Sequence, residues 1–321
     1  TWGSIRAKRG HKSPHNVHYW FVGNELYSFG RGLANGAAGC AAQSKLFAEA
    51  MKKADPSIRL VVCTNFAPFL DTPKWNDALL PACRELVDCC SVHDYVLGHV
   101  QLKTKEDMGN VARAPTEKIF AMLQSARHSI DQAMCNDKAV GITFDEWNTY
   151  WGRAGSVAMG LYVAGFLNLL CRESGNLGIE MANYFQPITE GAIAVTPLSA
   201  DLDTAGLVFE LFAPHHGNML LNLNTQPVDG DIDACASIAA DGSRVCVTIV
   251  NRSINADHAV ELNLMNFGRV AKSSATVLVA RDVTIEQSIL DARTEPLEVA
   301  GGHAITNVPR YSIARIDLAL S

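Results

Sequence analysis

FDEWN, residues 144 to 148, closes a run of β-formers that begins at Val140, and it sets a glutamate, Glu146, where that run ends. The same arrangement occurs near the start of the chain, where VHYWFV (17 to 22) leads through GNE (23 to 25) to Glu25. Two carboxylates thus end two predicted strands. In a barrel of parallel strands the side chains at the carboxyl ends converge on one face, so residues far apart in the chain can flank a single bond.

Outward from these two stretches the chain reads as repeated strand and helix units. Residues 17 to 22 are bulky and β-prone with little alternation, as in a strand covered on both faces. Gly30 to Gly39 is a loop, and Leu46, Phe47, Ala50 and Met51 fall at helical spacing until Asp55-Pro56 stops that helix. Ile58 to Cys63 is a second strand, with a helix over 76 to 86. A third strand, Val87 to Val92, ends in His93, Asp94 and Tyr95, and its helix runs from Pro115, a favoured first-turn residue, to about Met134. The fourth strand is Ala139 to Phe144, followed by an apolar helix from Ser156 to Leu170. The fifth, Leu177 to Tyr184, precedes a helix near Gly206 to Phe212. A closed (β/α) barrel needs eight strands, and five are counted. A five-stranded doubly wound sheet fits the count but does not bring the first and fourth strand ends together across a pocket. Composition leaves both open.

After about residue 217 the long helices stop. Ser237 to Ala240, Asp241-Gly242 and Val245 to Val250 read as a hairpin, because Asp-Gly supplies the positive φ angles of a tight turn. Val260 to Leu264, Thr276 to Val279 and Tyr311 to Leu318 add short strands. The expected organisation is a catalytic α/β part over residues 1–216 and a β-sandwich over residues 217–321.

A chain of 321 residues can bury a sizeable core. Its net charge of −6 argues against a nucleic-acid footprint, and Arg6, Lys8, Arg9 and Lys12 are too few to change that. Nine cysteines, with Cys89 and Cys90 adjacent and no CxxC pair, suit buried thiols in a reducing compartment better than a disulfide framework. The longest apolar run, Val157 to Leu170, falls short of the roughly 20 residues of a membrane span, and the opening TWGSIRAKRGHK lacks the core of a signal peptide. The first residue is Thr, so an upstream segment is expected. His11, His15 and His18 lack a carboxylate or cysteine at metal-ligand spacing. His215-His216 reads as a helix end where cationic side chains are favoured. The glycines near 30 to 39 have neither a following lysine nor a Rossmann spacing. Nothing calls for a metal or a cofactor.

YWFVGNE (19 to 25), SVHDY (91 to 95) and FDEWN (144 to 148), in this order and at these separations, resemble the α-L-arabinofuranosidases of glycoside hydrolase family 51, in clan A. ADPSI (54 to 58), WNDALL (75 to 80) and VPRYSIARIDL (308 to 318) support the resemblance, which covers nearly the whole chain. It implies a (β/α)8-type barrel of which the five strands are the fourth to eighth, with the first three upstream of Thr1, followed by a jelly-roll-like C-terminal β-sandwich. It also admits a homo-oligomer, since family members commonly assemble.

By this resemblance Glu25 is the general acid/base and Glu146 the nucleophile of a retaining double displacement. The chemistry needs two carboxyl groups across one bond, one attacking the anomeric carbon and one protonating the leaving oxygen, about 5 to 5.5 Å apart for retention against near 8 Å for inversion. Asn24 corresponds to the asparagine that hydrogen-bonds the sugar hydroxyl beside the anomeric carbon, a contact able to strengthen in the transition state. Tyr95, with His93 beside it, resembles the tyrosine that holds the nucleophile. The family has an aromatic residue between them, where this chain has Asp94, expected to point to solvent. Trp147 and the pair Tyr150-Trp151 are expected to form an apolar wall for a sugar face, although the family order at that pair is Trp then Tyr. Asn183 or Gln186 matches a family glutamine on the last strand.

The activity the resemblance implies is exo-acting release of terminal arabinofuranose from arabinoxylan, arabinan or their oligosaccharides. It would occur in the cytoplasm, on a carbohydrate partner, with neither nucleic acid nor membrane involved. The rivals are another clan A retaining hydrolase, a xylosidase or endoglucanase, and a non-catalytic carbohydrate-binding or inert chain.

Overall fold

The structure, a computed structural model, describes residues 1–28, 36–66, 74–96, 103–134, 139–149, 155–188, 190–224, 230–280 and 290–321. It opens with α1 (Trp2–Lys8), a short helix capped by the Thr1 side chain and not foreseen from the sequence, and continues with β1 (Tyr19–Val22), α2 (Gly36–Ala54), β2 (Arg59–Cys63), α3 (Trp75–Cys83) and β3 (Cys89–Tyr95). Then come α4 (Lys105–Ala114), a π-helical turn (Pro115–Ile119), α5 (Phe120–Met134), β4 (Gly141–Asn148), α6 (Val157–Leu177) and β5 (Ile179–Tyr184). The five strands form one sheet in the order β1-β2-β3-β4-β5, with β1 parallel to β2 and β2 parallel to β3. A doubly wound sheet reverses its strand order at a switch point. This order does not reverse.

The chain divides into two compact units, residues 1–92 with 126–143 and residues 93–125 with 144–321. In the first, the core is the middle of β2 (Leu60, Val61, Val62), the start of β3 (Cys89, Cys90) and Leu79 and Leu80 of α3. Asp88 organises this end of the sheet: its Oδ2 accepts from the Leu60 amide at 2.9 Å and from Lys52 Nζ at 2.9 Å, and Lys52 also donates to the Ile58 carbonyl. The buried stripe of α2 is Cys40, Ala41, Ser44 and Ala48, whereas Leu46 and Phe47, expected inside, are 60% and 55% exposed. Small side chains, not large ones, face the core on this helix.

In the second unit the helical segment expected from Pro115 starts ten residues earlier, at Lys105. Thr104 and Asp107 form a reciprocal cap there, each side chain accepting from the other's amide. Pro115 lies inside the helical run. Proline has no N–H to give and its ring crowds the preceding turn, and the wider π turn over 115–119 absorbs it. The first part of α6 is buried on nearly every side, as an apolar helix without a polar face must be. Its polar residues Asn168 and Arg172, four apart, anchor it: Asn168 bonds Asp233 and Thr248, and Arg172 bonds Asp233 and the Ala234 carbonyl.

After β5 come a small hairpin, β6 (Ile193–Val195) and β7 (Ala200–Leu202), and α7 (Thr204–Phe212). The remaining strands are β8 (Met219–Leu221), β9 (Ile232–Ile238), β10 (Arg244–Asn251), β11 (His258–Asn263), β12 (Val270–Ala280), β13 (Leu290–Pro296), β14 (Val299–Ala300), β15 (His303–Val308) and β16 (Ser312–Leu320). They make a six-stranded sheet, β13-β12-β16-β10-β9-β8, and a three-stranded one, β11-β15-β14. Residues of both sheets share one core, including Val247, Ile249, Ile316 and Leu318 from the larger and Ala304 and Val308 from the smaller. The β9–β10 hairpin forms as read, but its turn is longer than a two-residue Asp-Gly turn: the Gly242 amide donates to the Ala239 carbonyl, and Gly242 has a positive φ of 72° where Asp241 does not. His215 differs from its reading. Its ring is half-buried against Ser237 and Thr248, and that desolvation pushes its pKa down to about 4, away from the cationic form. The eight described cysteines are free thiols, seven of them buried. Among the described residues no helix is long and apolar enough to cross a membrane.

Candidate active site

In the first unit Glu25 follows β1 by three residues. Gly23 turns the chain with φ 89°, where a Cβ would meet Leu26 Cδ1 at 2.5 Å, and Glu25 itself takes φ 46°, a left-handed conformation rare for a side chain of its size. The Ser28 amide and hydroxyl both donate to the Glu25 carbonyl, at 2.9 and 3.0 Å, and hold this turn. Glu25 is half-buried and Asn24 exposed. Non-glycine residues in this region cost about 1 kcal/mol or more and collect at functional sites.

In the second unit the ends of β3 and β4 carry a connected polar group. Glu146 Oε1 accepts from the Tyr95 hydroxyl at 2.8 Å, and its Oε2 lies 2.8 Å from His93 Nδ1. His93 Nε2 lies 3.0 Å from Asp145 Oδ2. Burial alone would raise the Glu146 pKa. The His93 hydrogen bond and charge and the Tyr95 hydroxyl outweigh it, so the carboxyl is held below its ordinary value and stays ionised. The ring of Phe185 meets Tyr95 edge-on at 6.1 Å, just beyond β5.

The side-chain directions along β4 explain how Asp145 joins this group. Strict alternation would send Asp145 and Glu146 to opposite faces and would separate Phe144 from Trp147. Instead Phe144 and Trp147 both contact the Phe166 ring, at 5.2 and 4.4 Å, while both carboxylates reach His93. The side chains of β4 therefore depart from strict alternation at Asp145–Glu146. Glu146 accordingly sits inside the strand, two residues before its end.

Two readings are corrected by this geometry. Trp147 is 1% exposed and packed among Phe166, Tyr184, Tyr162 and Phe209, so it offers no open face for a sugar. Asp94 is 6% exposed, not solvent-facing, because alternation along β3 sends it away from His93 and Tyr95. Burial raises its pKa to about 6, against the opposing pull of the Tyr95 amide and Lys118; burial also raises the pKa of Tyr162, and the Asp94 charge adds to that. Asp145 was not anticipated, since a period-two reading turns it from the site. Asn183 and Gln186 are both exposed at the end of β5. Tyr150 and Trp151 lie outside the described residues.

The sequence profile of the alpha-L-arabinofuranosidase 1 domain matches residues 1–108. The intracellular exo-alpha-(1->5)-L-arabinofuranosidase of Acetivibrio thermocellus is 28% identical over 157 residues, which are 47% of this chain and 29% of that protein. The chain thus matches under a third of that relative's length. Among solved structures, the alpha-L-arabinofuranosidase of Thermotoga maritima superposes with a TM-score of 0.81 at 23% identity, covering 99% of this chain and 70% of that one. The family 51 enzyme of Thermotoga petrophila gives 0.79 at 22%, covering 98% and 69%. The fold, a sheet wound with helices and followed by a sandwich, is the one these solved structures share. In sequence the chain is similar to alpha-L-arabinofuranosidases over about its first half.

Proposed function

We propose that the protein is a retaining, exo-acting α-L-arabinofuranosidase that removes terminal arabinofuranose from arabinoxylan, arabinan or derived oligosaccharides. The observation that carries this reading is the Glu146 carboxylate, kept ionised with one oxygen on Tyr95 and the other on His93. Glu146 attacks the anomeric carbon, Glu25 gives its proton to the leaving oxygen, and Glu25 then takes a proton from the water that frees the sugar. Asn24 binds the hydroxyl beside the anomeric carbon, and Asn183 or Gln186 adds a polar contact. The α-(1→5) linkage in the name of the Acetivibrio relative favours arabinan-derived substrates.

In the same reading the five-stranded sheet is the fourth to eighth strands of a (β/α)8 barrel, within residues 1–216, and residues 217–321 are its companion sandwich. Coverage of the whole chain but about 70% of the solved relatives supports this, as do the exposed Trp20 and Phe21 on outer strand β1. The "intracellular" in that relative's name supports a cytoplasmic location. A homo-oligomer is part of the proposal.

The test is hydrolysis of aryl α-L-arabinofuranoside with analysis of the released anomer. The α-product is expected first, and Glu146→Ala should lose activity and regain part of it with azide, as the inverted glycosyl azide. Glu25→Ala should be hurt most on poor leaving groups. Cleavage of aryl β-xyloside or cellulosic substrates instead would assign the site to another clan A hydrolase, and sugar binding without turnover would make the chain a binding protein.

A further inference from the structure

His93 stands between two carboxylates. Its Nδ1 is 2.8 Å from Glu146 Oε2 and its Nε2 is 3.0 Å from Asp145 Oδ2, with the three side chains only 5, 14 and 11% exposed. An ionised carboxylate only accepts hydrogen bonds, and a neutral imidazole has one N–H to give. A neutral ring would therefore turn a lone pair on one of the two oxygens at contact distance. Only the doubly protonated ring satisfies both contacts at once.

We infer that Asp145 is a positioning residue: it holds the His93 ring as an imidazolium, turned so that Nδ1–H faces the Glu146 carboxylate. The inference rests on the reading of Glu146 as nucleophile. Its second support is β4, whose side chains depart from alternation at the two residues that must both reach the ring. The charged groups given to His93 by β4 are Asp145 and Glu146, and Tyr95 on its own strand is already engaged with Glu146. With Asp145 in place, both oxygens of Glu146 meet donors and the carboxylate plane is fixed for attack. Replace Asp145 by an amide, and the ring can relax to the tautomer with its proton on Nε2, whose Nδ1 lone pair opposes Oε2. An asparagine in the corresponding place of a serine protease triad leaves the geometry intact and costs about 10⁴-fold in kcat through the wrong tautomer.

The experiment compares the full-length protein with its Asp145→Asn and Asp145→Glu variants. It reads the ¹⁵N resonances of the His93 ring, assigned with His93→Gln, together with kcat and KM on 4-nitrophenyl α-L-arabinofuranoside and the melting temperature. The expected result is two protonated ring nitrogens near neutral pH in the parent and one in Asp145→Asn. That variant should lose about 10²- to 10⁴-fold in kcat with little change in KM, and Asp145→Glu should recover part of the loss. An unprotonated ring nitrogen in the parent, a ring spectrum unchanged in Asp145→Asn, or kcat within twofold of the parent would each overturn the inference. If Asp145→Asn does not fold, the parent spectrum and the Asp145→Glu kinetics still decide. A parent that leaves arabinofuranosides intact would remove the proposed activity alone, while the ring spectra would still report on Asp145.

Discussion

The phenolic hydroxyl of Tyr95, the last residue of β3, donates to Oε1 of Glu146 in β4 at 2.8 Å. A hydrogen bond to a charged group contributes about 1.5 to 3 kcal/mol, so Tyr95→Phe should lower kcat on activated aryl arabinofuranosides roughly 10- to 150-fold. The edge contact with Phe185 leaves the remaining ring in place, and the melting temperature should hold. The variant also tests charge. Burial pulls the Glu146 pKa up against His93 and Tyr95, so losing one donor moves it up and shifts the acid limb of the pH–rate profile to higher pH. An unshifted acid limb with an unchanged kcat would remove Tyr95 from the site.

Gly23→Ala should disturb both the fold and the turn that carries Glu25. The new methyl would meet Leu26 Cδ1 at 2.5 Å, which a rotamer change can relieve, but the φ of 89° cannot be relieved by moving Leu26. A loss of about 1 to 2 kcal/mol is expected, read by denaturant unfolding, together with lower activity as Glu25 leaves its turn. Equal stability and activity would mean that the turn tolerates a side chain.

Asp94 sets a pH dependence of stability. Its folded pKa of about 6 lies above the ordinary 3.8, so between these values the folded chain binds more protons than the unfolded one. Its contribution is thus fully present below about pH 4 and is lost as pH rises through 6, by at most about 3 kcal/mol. Asp94→Asn, neutral at every pH, should flatten the melting temperature between pH 4 and 7 and raise it at pH 8. Parallel pH curves for parent and variant would show that the carboxyl is not the cause.

The sheet was legible because its strands are unbroken β-prone runs, and the sandwich because its strands are short and turn-bounded. What escaped has common physical origins. Helix α2 faces the core with Cys40, Ala41, Ser44 and Ala48, and a search for large apolar residues at helical spacing selects its exposed face instead. Pro115 signals a helix start only where the preceding turn cannot widen, and here a π turn lets the helix pass through it. Asp94 reads as solvated because an isolated acid usually is, yet alternation from His93 and Tyr95 already sends it to the other face, where it is buried. Glu146, His93 and Tyr95 were found as motif residues. Asp145 was hidden by the break in alternation that gives it its place.

Trp147 separates a sugar-binding role from a packing one. Its ring lies 4.4 Å from that of Phe166 and 5.1 Å from that of Tyr184, and its indole N–H has no hydrogen-bond partner among the described residues. Trp147→Phe keeps an aromatic ring and removes that unpaired donor, so KM for aryl arabinofuranosides should stay within about twofold while stability falls only modestly through the smaller volume. Trp147→Ala should cost about 3 to 5 kcal/mol, since α6 and β5 can close only part of the cavity. Both outcomes are read from chemical denaturation beside steady-state kinetics. A tenfold rise in KM for Trp147→Phe without loss of stability would restore the ring to the sugar's wall and overturn its placement in the core.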